Sequence, residues 1–385
     1  MAAGNVAPSI VESFRARYSR HERLISSLSL FGGFVFDALT LKRIDMFWEN
    51  LWVIAHLAVA AACIILANRN ARPPLAAAAP SHEPPYPPPA PVSRPAPRTP
   101  LWIVGVLQFC FGGLLSTFLV FYFRSGSLRT SWPFLLILAA AFLANESLKR
   151  HYSRLDFQAS FFFLSLFSFA IFIVPVVLHV MGPLVFVLSG AVSLALFWMF
   201  LRVLRRLAPH SFSHGVHVLF ASVAGIFLTI NVLYFLNLIP PIPLSLRDAS
   251  VEHSIARNAD GNYVVQSESA GLLGYFKLAD EFHCAPGAPV YAYTAIFSPT
   301  SLSTRIVHEW QTYDAQRGWI TTNRIELPLN GGRGGGYRTF SMTKQIRPGA
   351  WRVNVETPGG ALLGRLRFNV ILQTDEPALQ TEIKN

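Results

Sequence analysis

Residues 157–179 read FQASFFFLSLFSFAIFIVPVVLH, a run of 23 positions without a single charged side chain. As a helix rising 1.5 Å per residue it would be about 34 Å long, enough to cross the roughly 30 Å hydrocarbon core of a bilayer. The run has counterparts on both sides. Leu24 to Leu41, Phe47 to Ala67, Leu101 to Phe123, Trp132 to Leu148, Leu184 to Leu201 and Val216 to Leu238 are apolar blocks of similar length, so the sequence predicts about seven transmembrane helices. Composition agrees: 52% of the 385 residues are hydrophobic and 14% charged, with a mean hydropathy of +0.39, more apolar surface than one water-soluble core could hide. The lipid bilayer is the expected partner.

Charge is divided unevenly. Residues 1–245 carry 18 Lys and Arg against 8 Asp and Glu, and residues 246–385 carry 14 against 13, so nearly all of the net +11 belongs to the membrane half. There the basic residues sit in short connections rather than in a stripe with interleaved aromatics, which excludes a nucleic-acid groove. Fourteen of them, including Arg15, Arg69, Lys149, Arg150 and Arg205, fall on one side of the predicted spans and five, Lys42, Arg43, Arg124, Arg129 and Arg247, on the other. The positive-inside rule then sets the N-terminus in the cytoplasm and, after an odd number of spans, the C-terminal region outside, in a bacterium the periplasm. The first block follows a basic stretch but lacks a small-x-small cleavage site, so it reads as a retained anchor.

The organisation follows. Residues 1–68 form a tail and a transmembrane hairpin. Residues 69–100 hold twelve prolines in 32 positions and read as an extended polyproline linker on the cytoplasmic side. Residues 101–245 form a five-helix membrane region. From 246 to 385 the pattern shifts to short alternating segments punctuated by Gly, Pro, Asn and Asp, the mark of an all-β domain. Seven strands are expected, at 263–267, 290–297, 304–313, 319–327, 337–344, 351–357 and 363–372, with turns at Asp314 to Gly318 and Thr357 to Gly360, favouring an antiparallel, immunoglobulin-like sandwich. Cys63 and Cys110 lie in apolar spans and only Cys284 in this domain, so no disulfide holds it together.

Alternation assigns faces. Trp351, Val353 and Val355, with Leu366, Phe368 and Val370, point to a core, while Arg352, Asn354, Arg365 and Arg367 form a solvated, positive face. His308 and Trp310 share one face, partly in the core. His308 and Glu309 are adjacent on a strand and so diverge, and no second His or Cys stands at ligand spacing, so no metal is expected. Gly331 to Gly336 lacks the Lys-Ser/Thr and the following helix of a phosphate loop and reads as a mobile hairpin loop; no cofactor is expected. Arg333, Tyr337 and Arg338, near a face with Arg352, Arg365 and Arg367, can hold an acidic glycan or lipid headgroup by bidentate hydrogen bonds and stacking, or be merely a solvated basic surface. No catalytic triad or Cys-His signature accompanies them.

The run His308-Glu309-Trp310, then Gly331-Gly332-Arg333 with Gly336-Tyr337-Arg338, then Gly349-Ala350-Trp351-Arg352-Val353 and Gly360 to Phe368, resembles the bacterial family called domain of unknown function 2914 over roughly residues 285–372. In that family such a domain commonly follows a multi-span membrane region. The resemblance implies this architecture and no activity.

Ionisable residues in the spans are functional candidates by default. Asp45, Glu49, Trp52 and His56 are spaced 4, 3 and 4, one helical face, which in an antiparallel hairpin meets Asp37 in the outer half of the membrane. Asp37, Glu49 and His56 are therefore the candidates for a membrane enzyme or transporter. The competing reading leaves Asp37 and Glu49 at the interface, paired with Lys42 or Arg43. Glu146, beside Lys149 and Arg150, is expected at the cytoplasmic interface. The leading expectation is a non-catalytic inner-membrane protein whose periplasmic sandwich binds an envelope component or partner protein.

Overall fold

A computed structural model of the chain describes residues 31–41, 46–69, 100–126, 128–147, 154–209, 216–259, 261–268, 280–299, 302–331, 335–373, 375 and 377–384. Seven helices precede eleven strands among these residues: α1 (Phe31–Thr40), α2 (Phe47–Arg69), α3 (Leu101–Ser125), α4 (Leu128–Ser147), α5 (Leu155–Leu178), α6 (Pro183–Leu207) and α7 (Val216–Phe235). Five of them, α2, α3, α5, α6 and α7, are long and apolar enough to cross a membrane. The two other expected spans fall short of that length among the described residues, and residues 24–30 of the first lie outside them. Ten residues of the first block are described as helix, and the apolar part of α4 runs only from Thr130 to Glu146, about 26 Å at 1.5 Å per residue. Large apolar side chains stay bare on the outside of the bundle, among them Leu184 at 85% exposure, Trp48, Leu228 and Phe220, a surface that water does not tolerate and lipid does. This is a multi-pass membrane protein.

The phenylalanine-rich α5 occupies the centre of the bundle. Its rings meet α3 at Phe118–Phe172 (5.8 Å), α6 at Phe163–Phe197 (5.1 Å) and α7 at Phe167–Phe227 (5.5 Å). Small residues permit the close approaches: a Cβ on Gly190 would stand 3.1 Å from Phe227, and Ser189 and Ser193 are fully buried. Amides tie the remaining helices. Asn68 donates to Gln158 Oε1 (2.8 Å) between α2 and α5, and Gln108 and Asn145 each donate to the other's main-chain carbonyl (3.2 and 3.1 Å) between α3 and α4.

The strands are β1 (Ser245–Glu252), β2 (Ser254–Arg257), β3 (Tyr263–Glu268), β4 (Asp280–Cys284), β5 (Val290–Phe297), β6 (Ser303–Asp314), β7 (Gly318–Asn330), β8 (Tyr337–Thr343), β9 (Gly349–Glu356), β10 (Leu362–Leu372) and β11 (Leu379–Lys384). All seven expected strands are present, within two residues at their starts and three at their ends. The four missed ones are short and mostly polar, like SIAR and LQTEIK, and carry no clear period of two. They build three sheets, β1-β5-β8, β4-β10-β9-β6-β7 and β11-β3-β2. The purely antiparallel expectation is corrected at one place, since β4 runs parallel to β10 from Asp280/Phe368 to Cys284/Leu372.

The first two sheets face each other across one core in which Val290 and Ala292 meet Trp310, Trp351, Val353, Phe368 and Val370. The third sheet covers the opposite face of β5, packing Tyr263 and Val265 on Tyr293 and Ala295. Being covered on both sides explains why β5, VYAYTAIF, reads as a continuous apolar run rather than an alternating one. At its base the sandwich rests on the helices: Met181, between α5 and α6, packs into the cluster of Leu244, Ile296, Ile306 and Val355, and a mainly apolar cavity of about 360 Å³ lies between the helix ends and Thr304, Thr357 and Pro358.

Candidate functional site

Strand alternation puts Trp310 and Trp351 inside and their neighbours outside, and the outer face of the five-stranded sheet is more than a solvated surface. Glu309 on β6 is its hub. Its carboxylate accepts from Gln311 Nε2 (2.9 Å), Thr321 Oγ1 (3.0 Å) and Asn354 Nδ2 (3.0 Å). Asn354 Oδ1 in turn accepts from Arg365 Nε (2.6 Å), and Gln311 Oε1 from Arg352 Nε (2.5 Å). The register explains the pattern, because Glu309, Asn354 and Arg365 stand opposite one another on β6, β9 and β10, as do Gln311, Arg352 and Arg367.

The second row ends in aromatic rings. The Arg352 guanidinium lies 4.3 Å from the centre of the Trp319 ring, and Trp319 meets Tyr313 edge-on at 5.4 Å. Tyr313 is 53% exposed, while Arg352, Arg365, Arg367 and Trp319 are half-buried. Burial and the neighbouring charge of Arg367 hold the Arg352 guanidinium below its ordinary value, Glu309 acting the other way. Two cations kept side by side on a planar, hydrogen-bonding floor make a site that an anion would relieve. The sequence marks Arg352, Arg365 and Arg367 as one outward face, either a binding surface for an acidic group or a merely solvated one; it does not mark Trp319, Tyr313 and Glu309, which alternate outward on their strands and are signalled only by that parity.

The other candidates separate. Arg333 lies outside the described residues. Tyr337 and Arg338 belong to β8, in the other sheet; Tyr337 turns into the inter-sheet core beside Ile296, and Arg338, opposite Ala295, turns toward the third sheet. Two layers therefore stand between Arg338 and the Arg352 row. His308 and Trp310 are fully buried rather than partly so: Trp310 Nε1 donates to Ser341 Oγ (2.9 Å), which lies 2.8 Å from His308 Nδ1, and His308 Nε2 is 3.1 Å from Thr294 Oγ1.

Inside the membrane region, Asp37 and His56 do converge. Both line a cavity of about 470 Å³ among α1, α2, α3 and α4. Glu49, near the start of α2, does not line it, whereas Glu146, expected at the cytoplasmic interface, does, because α4 packs along α3 and brings its last turn to the level of Gln108.

Residues 303–370 match a family described as a protein of unknown function, DUF2914, inside the span that the sequence motifs mark. No curated protein matches the chain. Among solved structures, a β-glucosidase from Listeria innocua in complex with gluconolactone is 14% identical over 28% of this chain and 16% of that one, with a TM-score of 0.18. The alkylpurine DNA glycosylase AlkC of Pseudomonas fluorescens, bound to DNA containing an abasic site analogue, is 10% identical over 71% of this chain and 82% of that one, with a TM-score of 0.21. At those scores neither bears on fold or function.

Proposed function

We propose that this protein is a non-catalytic binding protein of the bacterial inner membrane, which displays a periplasmic sandwich of immunoglobulin-like layout whose outer sheet face holds an acidic glycan of the envelope. The observation that carries the reading is the row Trp319, Arg352, Arg367. A guanidinium presents paired donors to a carboxylate, and an aromatic face receives the apolar side of a sugar ring. The row also favours a polymer over the headgroups of the protein's own bilayer. Thr304 lies beside the helix ends, and Tyr313, nine residues further along β6, is about 30 Å away at 3.3 Å per residue.

The periplasmic orientation draws support from the helix ends. Arg69, Arg154, Arg202, Arg205 and Arg206 cluster at the ends remote from the sandwich, and Arg124 lies at the near end, where the next residue but one, Gly126, approaches Pro240. The alternative of an enzyme or transporter built on Asp37, Glu49 and His56 has the cavity in its favour for two of the three residues. To test the glycan reading, the full-length protein in nanodiscs is titrated with polygalacturonate and with neutral dextran. Saturable binding of the acidic polymer alone is expected, weakened about tenfold or more by Arg352→Gln or Trp319→Ala. Equal binding of dextran, or indifference to both substitutions, would refute it.

A further inference from the structure

The intramembrane cavity has a one-sided chemistry. His56 is 94% buried by the 6% exposure that remains to it, and its ring is held between Trp52 (4.5 Å) and Phe109 (5.6 Å). Its Nδ1 stands 2.9 Å from the Trp52 carbonyl, which only accepts, so Nδ1 carries a hydrogen there and Nε2 is the ring nitrogen left toward the cavity. Nε2 faces Gly113: a Cβ there would sit 3.3 Å from it, and glycine leaves that space open. Asp37 lines the same cavity, beside Ser116 and within electrostatic reach of His56. Glu146 brings a second carboxylate to the lining, and the amides of Gln108 and Asn145 donate to each other's main chain. No Lys or Arg lines the cavity among the described residues. Among the described residues, Arg124 is turned to the carbonyls of Ala38 and Leu41, fastening the end of α1 to α3. Phe34, Phe36, Trp52, Phe109 and Phe142 give the cavity an aromatic wall.

We propose that this cavity binds an amphipathic organic cation, a protonated amine on an aromatic or aliphatic body, with its ammonium against the Asp37 carboxylate and its body against the aromatic wall. An ammonium donates up to three hydrogen bonds and accepts none, which matches a carboxylate, and its charge offsets that of Asp37 in a medium that solvates neither. An anionic headgroup would meet the like charge of Asp37. The site is independent of the glycan face, since only residues of the first four helices and Leu41 line it.

The test uses the full-length protein in nanodiscs of zwitterionic lipid, titrated calorimetrically with 1-naphthylmethylamine, its uncharged counterpart 1-naphthylmethanol, and anionic 1-naphthoate. Saturable binding of the amine is expected, with the alcohol and the naphthoate at least about tenfold weaker. Asp37→Asn should weaken the amine about tenfold or more and Gly113→Leu should abolish its binding, while Trp319→Ala leaves it unchanged. Amine and alcohol binding alike, naphthoate binding best, no saturable amine binding, or a folded Asp37→Asn protein with unaltered affinity each overturns the proposal. If Asp37→Asn fails to accumulate, the discrimination of the wild-type protein between amine and alcohol decides alone.

Discussion

Ser341 receives the indole hydrogen of Trp310 and lies against Nδ1 of His308, while the far side of that ring meets Thr294, whose hydroxyl has the Thr339 carbonyl 3.5 Å away. Since an indole only donates and a carbonyl only accepts, one ordering satisfies every member: Trp310 to Ser341, Ser341 to His308 Nδ1, His308 Nε2 to Thr294, Thr294 to Thr339. That chain uses a neutral imidazole, and burial pushes His308 down from 6.5 to about 4. In the unfolded chain the ring takes up a proton near 6.5, in the fold only near 4. Between those values the unfolded state binds more protons, so acid favours unfolding, and below about 4 the loss is complete. The gap corresponds to roughly 3 kcal/mol. Protection of the β6 amides against hydrogen exchange in the full-length protein is expected to fall by about that amount from pH 6.5 to 4, and to lose most of this dependence in His308→Gln. A pH-independent wild-type value would place the ring in contact with solvent.

At the scale of elements, the hairpin β6–β7 is closed at its base by Gly331, whose amide donates to Leu302 O (2.9 Å). A Cβ on Gly331 would collide with the main-chain oxygen of Pro299, which has no rotamer to move aside. The run Gly331 to Gly336 thus begins with a close-packed residue, although it reads in sequence as a mobile loop; Gly332 to Gly334 lie outside the described residues. Gly331→Ala should reduce exchange protection at the Ser303/Asn330 end of the hairpin by about 1–3 kcal/mol, the range for overpacking. Gly359→Ala, where only Thr357 Oγ1 stands near at 3.9 Å, should leave it unchanged. Equal effects at both positions would show that general turn flexibility, rather than the Pro299 contact, sets the hairpin's stability.

For the whole molecule, alternation of helix direction and the arginines at one set of helix ends favour the proposed orientation, with the sandwich outside and residue 69 inside. A reporter active only in the periplasm should be active when fused after Asn385 and silent when fused at Ser81. The reverse pattern would put the Arg352 row in the cytoplasm, where an envelope glycan cannot reach it, and would end the proposed function while leaving the cavity proposal standing.

How much of this was legible beforehand depends on the range of the interactions involved. Hydropathy and alternation are local, so the apolar spans, the seven strongest strands, the inward Trp351 and the outward Arg352, Arg365 and Arg367 follow from the sequence alone. Register and layering are not local. That Arg365 meets Asn354, that Arg352 lies over Trp319, or that Arg338 belongs to a different sheet depends on which strands pair and how far each slides, and a slide of one residue reverses every face. The same holds in the bundle. Spacing along α2 gathered Glu49, Trp52 and His56 on one face, but only packing against α3 and α4 decided that His56 and Asp37 share a cavity with Glu146 and that Glu49 does not, because contacts between helices far apart in sequence leave no period in the chain to read.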